Sequence, residues 1–467
     1  MRGRVYPACG RRRRHYLKGG DMHARAYRLL RPLWPGGQEI KRYLNELEHT
    51  QWLPEDELGA LQLNRLKRLV THAYENVPYY RQRYRRLGIH PHDIKCLEDF
   101  QALPLLTRED VRGNIPSMVA DNATRRALLL DSTGGSTGDP MQFYAERSFW
   151  RRNMASTRRG RAWHGLGEGA KTAWFWGALR DMPEWSWRQS LRSWLKQERY
   201  LNAFNVTEET MSGFYRMLVN WQPALFIGYP SVLSLFAQFV RDSGQTGVRP
   251  RVIETSAEQL YGPQRALLEE VFDCPVVNHY ASRELGTMAY ECERGGLHIP
   301  ADLLYLEILV DGEPAKPGQI GEVVITSLSQ FAMPLIRYKN GDLAVRAAEP
   351  CPCGRGLPLL EEIVGRSNDC LASDHGRFIH SAFFAYLVQH MPEIDRYQVY
   401  QADIGSLEVR LACRQPLSEA QLDSLRAQIQ QRFGSSTRIS MRIVDQLELT
   451  PAGKHRFVIS EIKPTFS

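Results

Sequence analysis

No apolar run in this chain is long and clean enough to cross a bilayer. Met217 to Val240 carries no charge, but Asn220, Gln222, Pro223, Pro230, Ser231, Ser234 and Gln238 interrupt it, which favours a buried strand, turn and helix. There is no signal peptide, and the eight cysteines lack the regular spacing of a disulfide framework, so reduced thiols and a cytoplasmic location are expected. A Walker A loop is missing, because no Gly-Lys-Ser/Thr follows a glycine-rich turn at the required spacing. Internal repeats are missing too, which excludes solenoids and propellers. With 43% hydrophobic and only 24% charged residues, a mainly disordered chain is excluded as well.

What is present is a chain of 467 residues, long enough for two or three domains. Its net charge of +8 is unevenly spread. Residues 1–21 hold Arg2, Arg4, Arg11, Arg12, Arg13, Arg14 and Lys18 against Asp21 alone, so the body is close to neutral. This basic leader has neither the apolar stretch nor the Ser-rich amphipathic helix of a targeting peptide, and reads as a disordered tail or an upstream start before Met22. A phosphate-binding arm is the functional alternative for it. The near-neutral remainder argues against nucleic acid as a partner.

Along the body, Glu55 to Val77 carries Leu58, Leu61, Leu66, Leu69, Val70, Ala73, Tyr74 and Val77 at helical spacing, and Pro78 stops it. Thr107 with Asp110 predicts a second helix start. Strand-like runs at Ala127–Leu130, Thr172–Gly177, Ala224–Gly228, Arg251–Thr255 and Pro275–His279 alternate with helical lengths, predicting an α/β core with several parallel strands. From Leu303 the texture is β-rich, with strands expected at Leu303–Val310, Gly321–Ser327 and Pro334–Val345. A small α+β unit follows: strands at Tyr397–Gln401, Leu407–Ala412 and Arg438–Val444, and a helix capped by Ser418 and Gln421 with Leu422, Leu425, Ile429 and Phe433 on one face.

Five short segments can carry chemistry. Asp131-Ser-Thr-Gly-Gly-Ser-Thr-Gly-Asp-Pro140 follows an apolar strand; its glycines allow close backbone approach and its hydroxyls add donors, a combination suited to phosphate oxygens, although such loops are often plain turns. Tyr280-Ala-Ser-Arg-Glu284 ends a buried-looking strand, where a ring can stack on a base and a carboxylate can hold Mg²⁺. Arg337-Tyr-Lys-Asn-Gly-Asp342 sets a carboxylate on a turn, a partner for ribose hydroxyls. Gly365-Arg-Ser-Asn-Asp369 lies at the expected domain boundary, and Thr450-Pro-Ala-Gly-Lys454 puts a lysine on a Gly/Pro loop.

Their order resembles the acyl-adenylate-forming superfamily, and in particular its phenylacetate-CoA ligase group with the CapK relatives. Leu66-Lys-Arg-Leu-Val-Thr-His-Ala-Tyr-Glu-Asn-Val-Pro-Tyr-Tyr-Arg81, Leu103-Pro-Leu-Leu-Thr107, Gly228-Tyr-Pro-Ser231 and Glu254-Thr-Ser-Ala-Glu-Gln-Leu260 share that texture, over about residues 60 to 460. Asp139 stands where many members carry Lys, and Ala281 replaces a common Gly. The charge pattern sets off a leader (1–21), and the resemblance implies a multi-part adenylation domain (22–368) with α/β layers and a β-rich subdomain, followed by a small α+β C-terminal lid (369–467). It implies that ATP and a carboxylic acid form an acyl-adenylate, which coenzyme A then takes up. An amine or hydroxyl acceptor in surface-polysaccharide or secondary-metabolite assembly is the alternative, and a non-catalytic nucleotide- or nucleic-acid-binding protein is a distant third.

By the same resemblance Ser132, Thr133, Gly134, Gly135, Ser136, Thr137 and Gly138 cradle the phosphates and Glu284 binds Mg²⁺. Tyr280, with Ala281 and Ser282 beside it, lies against adenine near Ser256, Ala257 and Glu258. Asp342 takes the ribose hydroxyls with Arg366 beside it. Lys454 bridges the acid and the α-phosphate, and Asp369 is the hinge of the lid.

Two readings stand apart from this. Cys351-Pro-Cys353-Gly is a tight knuckle, and Cys292 with His298 can complete a tetrahedral Cys₃His zinc site of the structural kind; buried or surface thiols are the plain alternative. Six of the ten tryptophans fall between Trp163 and Trp194, with Arg180, Arg188 and Arg192 among them. That suits an aromatic or large acyl acid, or equally core and homodimer contacts.

Overall fold

The computed structural model describes residues 36–124, 127–133, 141–176, 193–203, 206–366, 370–373, 378–380, 382–388, 391, 393–447 and 457–462. Helices α1 (Gly37–Thr50) and α2 (Glu55–Asn76) come first; α2 buries Leu58, Leu66, Leu69, Val70 and Ala73, and Val77 before Pro78 is already extended. Helix α3 (Arg108–Met118) starts at the expected capping box: the Asp110 amide donates to Thr107 Oγ1 at 3.1 Å and the Thr107 amide to Asp110 Oδ2 at 2.9 Å.

Strands β1 (Leu128–Ser132) and β2 (Gln142–Glu146) form an antiparallel hairpin of their own. The apolar run at Ala127–Leu130 therefore does not join the parallel sheet as its composition suggested. Leu129 and Leu130 are exposed, and the local partner β2 takes the backbone hydrogen bonds that a sheet neighbour would have taken.

After helix α4 (Arg147–Trp163) come β3 (Thr172–Trp176), β4 (Glu198–Asn202), α5 (Glu208–Trp221), β5 (Leu225–Gly228), α6 (Pro230–Asp242), β6 (Val252–Ser256), α7 (Gly262–Phe272) and β7 (Val276–Ser282). The strands pair in parallel in the order β7-β6-β5-β3-β4. Phe175, Phe226, Ile253 and Val276 pack one face against Phe214, Phe236, Leu268 and Phe272 of α5, α6 and α7. Leu225, Ile227, Val252 and Val277 form the other face, with Leu166 and Tyr290. Alternation of large apolar residues on both faces is what burial between helices requires.

At β7 the sheet changes character. Strands β8 (Gly286–Glu291), β9 (Leu297–His298), β10 (Leu304–Val310), β11 (Glu313–Pro314), β12 (Ile320–Ser327), β13 (Tyr338–Arg346) and β14 (Leu359–Arg366) extend it antiparallel as β7-β8-β9-β14-β13-β12-β10-β11, making twelve of the described strands one sheet. The run Pro334–Val345 is thus strand only from Tyr338. The N-terminal helices lock onto this half. Thr50 Oγ1 donates to Asp302 Oδ2 at 2.5 Å, and Asp302 also meets the Arg159 guanidinium, which reaches Leu47 O at 3.0 Å. Arg159 and Asp302 are 1% and 0% exposed, so each is an effective partner for a charge that would otherwise be stranded.

Beyond β15 (Cys370–Ala372), β16 (Phe378–His380) and α8 (Ala382–Val388), strands β17 (Ile394–Gln401), β18 (Ser406–Cys413), β19 (Arg438–Ile443) and β20 (Val458–Ser460) form a second sheet, ordered β19-β18-β17-β20. Helix α9 (Glu419–Phe433) covers it with Leu425, Ile429 and Phe433, beside Val399, Leu407, Val409 and Leu411. No helix among the described residues is long and apolar enough to cross a membrane.

Candidate active site and metal centre

The carboxyl ends of β6 and β7 supply the first group of candidate residues, where an open α/β sheet leaves a crevice. Ser256 closes β6 and donates from Oγ to His279 O at 2.8 Å, while Ala257 turns the chain with φ +68°. Glu258 accepts the Ser231 amide at 3.1 Å, tying the Gly228-Tyr-Pro-Ser turn to this segment. Tyr280, Ala281 and Ser282 end β7. Ser282 Oγ caps the following turn by accepting the Leu285 amide at 3.2 Å, and Glu284 in that turn is buried.

The phosphate-loop hairpin meets this turn through residues that carried no role in the sequence reading: Arg283 Nη1 lies 3.1 Å from Asp131 Oδ1. Asp131 precedes Ser132 and Arg283 precedes Glu284, so one ion pair brings the two segments together. Thr133 is fixed from both sides, its amide donating to Met141 O at 2.9 Å and its hydroxyl accepting the Met141 amide and the Arg108 guanidinium, each at 2.9 Å. Gly134, Gly135, Ser136, Thr137 and Gly138 lie outside the described residues, as do Asp369 and Lys454.

Asp342 was expected on a turn and lies instead within β13, where the strand bulges. Lys339 stands opposite Val324 and Leu343 opposite Glu322, so Asn340, Gly341 and Asp342 exceed the partner strand by two residues. Gly341 supplies the φ of +84° that this bulge needs. The bulge explains the turn-like sequence and aims the Asp342 carboxylate at Tyr280, whose phenol donates to Oδ2 at 2.5 Å. Arg366 is the register partner of Asp342 on β14, and Gln259 Nε2 donates to Ile363 O of the same strand at 2.6 Å. The segments at 131–133, 256–259, 280–284, 340–342 and 363–366 are thus linked by named contacts.

Next to these segments lies a charged network absent from the sequence reading, although Glu254 stood in a quoted segment. Glu254 Oε2 meets Arg161 Nε at 2.7 Å and Oε1 meets Nη2 at 2.9 Å; the Tyr290 phenol donates to Oε2 at 2.9 Å and His279 Nδ1 lies 3.1 Å from Oε1. Burial opposes the Glu254 charge, but the Arg161 guanidinium and His279 outweigh it and hold the carboxyl well below the ordinary carboxylate range. His279 Nε2 lies 3.1 Å from Thr287 Oγ1, so both ring nitrogens are engaged.

The four metal candidates do converge. One ligand atom from each of Cys292, His298, Cys351 and Cys353 lies within 4.8 Å of the others. Cys292 Sγ is 3.6 Å from Cys351 Sγ, and His298 Nε2 is 3.2 Å from Cys353 Sγ. His298 Nδ1 is 3.1 Å from Leu357 O; donation there fixes the tautomer that leaves the Nε2 lone pair facing the thiols. The Arg294 amide points at Cys292 Sγ from 3.4 Å, and Gly296 is needed because a Cβ there would stand 2.5 Å from Cys351 Sγ. Burial pushes the Cys292 and Cys351 thiols up and His298 down to about 4, as expected for a soft ligand set closed off from water.

The tryptophans divide. Trp176 and Tyr229 sit together at the carboxyl ends of β3 and β5, ring centroids 4.5 Å apart, and Trp174 stacks on Tyr200 at 5.9 Å. Trp163 belongs elsewhere, edge-on to His298 at 5.5 Å. Trp194 is exposed, while Trp185, Trp187, Arg180, Arg188 and Arg192 lie outside the described residues.

Comparison with known proteins adds to this geometry. Residues 371–461 match the family model described as the CapK C-terminal domain. The protein CapK of Staphylococcus aureus is 25% identical over 431 residues, covering 91% of this chain and 93% of that protein. The phenylacetate-coenzyme A ligase of Aromatoleum evansii is 30% identical over 345 residues, covering 70% and 74%. Among solved structures, a 2-hydroxyisobutyryl-CoA ligase in complex with 2-HIB-AMP superposes with a TM-score of 0.70 at 21% identity, covering 89% and 92%.

Proposed function

Since the chain belongs to the phenylacetate-CoA ligase family of adenylate-forming enzymes, we propose that it activates a carboxylic acid with ATP and passes the acyl group to the thiol of coenzyme A. The observation that carries this reading is the linkage of Asp131–Thr133, Ser256–Gln259, Tyr280–Glu284 and Asp342 into one cluster at the carboxyl ends of β6 and β7. One carboxylate oxygen attacks the α-phosphorus, the bond to the β-phosphate oxygen breaks, and pyrophosphate leaves. The thiol then attacks the acyl carbon and AMP departs.

Both steps crowd negative charge onto oxygens, so positioned donors rather than a protein nucleophile are called for. Ser132 and Thr133, with Gly134 to Gly138, serve the β- and γ-phosphates. Tyr280 lies against adenine beside Ser256, Ala257 and Glu258, and Asp342 with Arg366 takes the ribose. The oxygen donors of Glu284 and the loop hydroxyls fit Mg²⁺, which would neutralise phosphate charge there. Lys454 bridges acid and α-phosphate, and residues 369–467 swing about Asp369 relative to 22–368 to withdraw it before the thiol enters.

The ring pair Trp176–Tyr229 beside the Ser231–Glu258 contact supports an aromatic or large acyl acid. The three thiols and one imidazole suit zinc in a closed, structural role, pinning β8–β9 to the segment that leads into β14. The match of residues 371–461 to the CapK C-terminal domain supports a second reading, in which an amine or hydroxyl replaces coenzyme A. Incubation with ATP, a broad series of carboxylic acids, and either coenzyme A or hydroxylamine decides. Acid-dependent pyrophosphate release with a CoA thioester is expected. Hydroxamate without thioester for every acid selects the second reading, and no pyrophosphate with any acid overturns both.

A further inference from the structure

Asn340 sits in the bulge of β13 two residues before Asp342, and its amide is fully committed. Nδ2 donates to Asp342 Oδ2 at 2.6 Å and to Tyr280 Oη at 2.9 Å, while Oδ1 accepts the Asp342 amide at 3.1 Å. The Tyr280 phenol donates to the same Oδ2 at 2.5 Å. Two donors, one from each of two strands, therefore converge on one carboxylate oxygen and are bonded to each other. The opposite orientation of the Asn340 amide would set a carbonyl oxygen against that carboxylate, so the donor arrangement is the one the charges demand.

We infer that Asn340 is a positioning residue for the nucleotide ribose: with the Tyr280 phenol it fixes the Asp342 carboxylate, so that hydroxyl recognition is set before the nucleotide arrives. This rests on the reading of Asp342 as the ribose partner. A carboxylate on a bulged strand next to a glycine at φ +84° has rotamer and backbone freedom to lose; two donors on one oxygen remove it before the ligand arrives. The bond from Asn340 is charge-assisted and short, which makes it the stronger of the two that its Nδ2 offers. Asn340 acts through Asp342.

The test uses the full chain and direct binding of AMP and of 2′,3′-dideoxy-AMP, by calorimetry or fluorescence. The unaltered protein is expected to prefer AMP. Asn340→Ala should weaken AMP about tenfold, the loss of one charge-assisted hydrogen bond, while leaving the dideoxy nucleotide within about twofold, so that discrimination collapses. Asn340→Thr, which keeps a donor on a shorter arm, should recover part of the discrimination and serves as the readout if the alanine variant does not fold. A parallel, equal loss for both nucleotides would show a merely structural role and overturn the inference. Asp342→Ala separates the two levels: if it leaves discrimination intact, the ribose reading fails; if it abolishes discrimination and Asn340→Ala does not, only the positioning role fails.

Discussion

Asp342 and Arg366 stand opposite each other in register across β13 and β14. The residue proposed to hold the ribose and the arginine proposed to assist it are therefore cross-strand neighbours, although they are 24 positions apart in the chain. Arg366 is also three residues before the proposed hinge at Asp369, so the proposed ribose contact and the proposed hinge are close neighbours in sequence.

From this, Arg366→Ala is expected to raise the dissociation constant for AMP by about tenfold, in the range of one lost hydrogen bond to a charged group. Calorimetric titration checks it. An unchanged affinity would remove Arg366 from the site and leave Asp342 in place.

Lys454→Ala should abolish acid-dependent pyrophosphate release while leaving thioester formation from a supplied acyl-adenylate within a few-fold of the unaltered protein. The division follows because a cation on the α-phosphate is required when pyrophosphate leaves and not when the thiol attacks. Surviving pyrophosphate release would sink the lysine assignment.

The protein purified without chelator should carry about one equivalent of zinc by elemental analysis, and Cys353→Ser should lower both metal content and thermal midpoint. Less than a tenth of an equivalent would dispose of the site. Metal uptake must release thiol protons, since burial holds Cys292 and Cys351 above the ordinary thiol range, so zinc retention should weaken as the pH is lowered.

Glu254→Gln breaks a buried pair and leaves Arg161 facing a neutral amide, which should cost about 3–5 kcal/mol of stability. The sign of the pH dependence follows from the lowered carboxyl. A folded value below the unfolded one, about 4.3, contributes stability that is complete above that value and is lost as the pH falls through it towards the folded value. Denaturant melts between pH 7 and 3 should converge for the two proteins on acidification. A constant gap would place the stabilising interaction elsewhere.

Much of the architecture was legible because local rules and burial agree. Thr107–Asp110 and Ser418–Gln421 cap the helices their spacing predicts, and four of the five apolar runs in the α/β stretch pair in parallel. The exception, Leu128–Ser132, reads as buried because three leucines adjoin, and only the return strand Gln142–Glu146 shows it to be a hairpin. Cysteine and histidine spacing was enough to anticipate the Cys292, His298, Cys351 and Cys353 cluster, because few residue types can bind such a metal. Asn340, Arg283 and Glu254 were missed for a common reason. Asn, Arg and Glu are ordinary surface residues in a sequence, and what makes these three matter is a partner 60, 152 or 93 positions away in the chain.

The contact between Thr50 and Asp302 spans 252 positions of chain. During synthesis at about 5–20 residues per second, α1 and α2 emerge roughly ten seconds to a minute before the strands that cover them. Leu66, Leu69 and Val70 belong to a core that begins to close early, with Val77, Tyr80 and Phe100, but that also includes Leu304 and Ile336, which arrive only at the end of that interval. One side of the amino-terminal helices thus waits for partners far along the chain. A translational pause or early release between Trp163 and Ile299 would leave this core closed on one side only, with apolar surface of the kind that holdase chaperones capture.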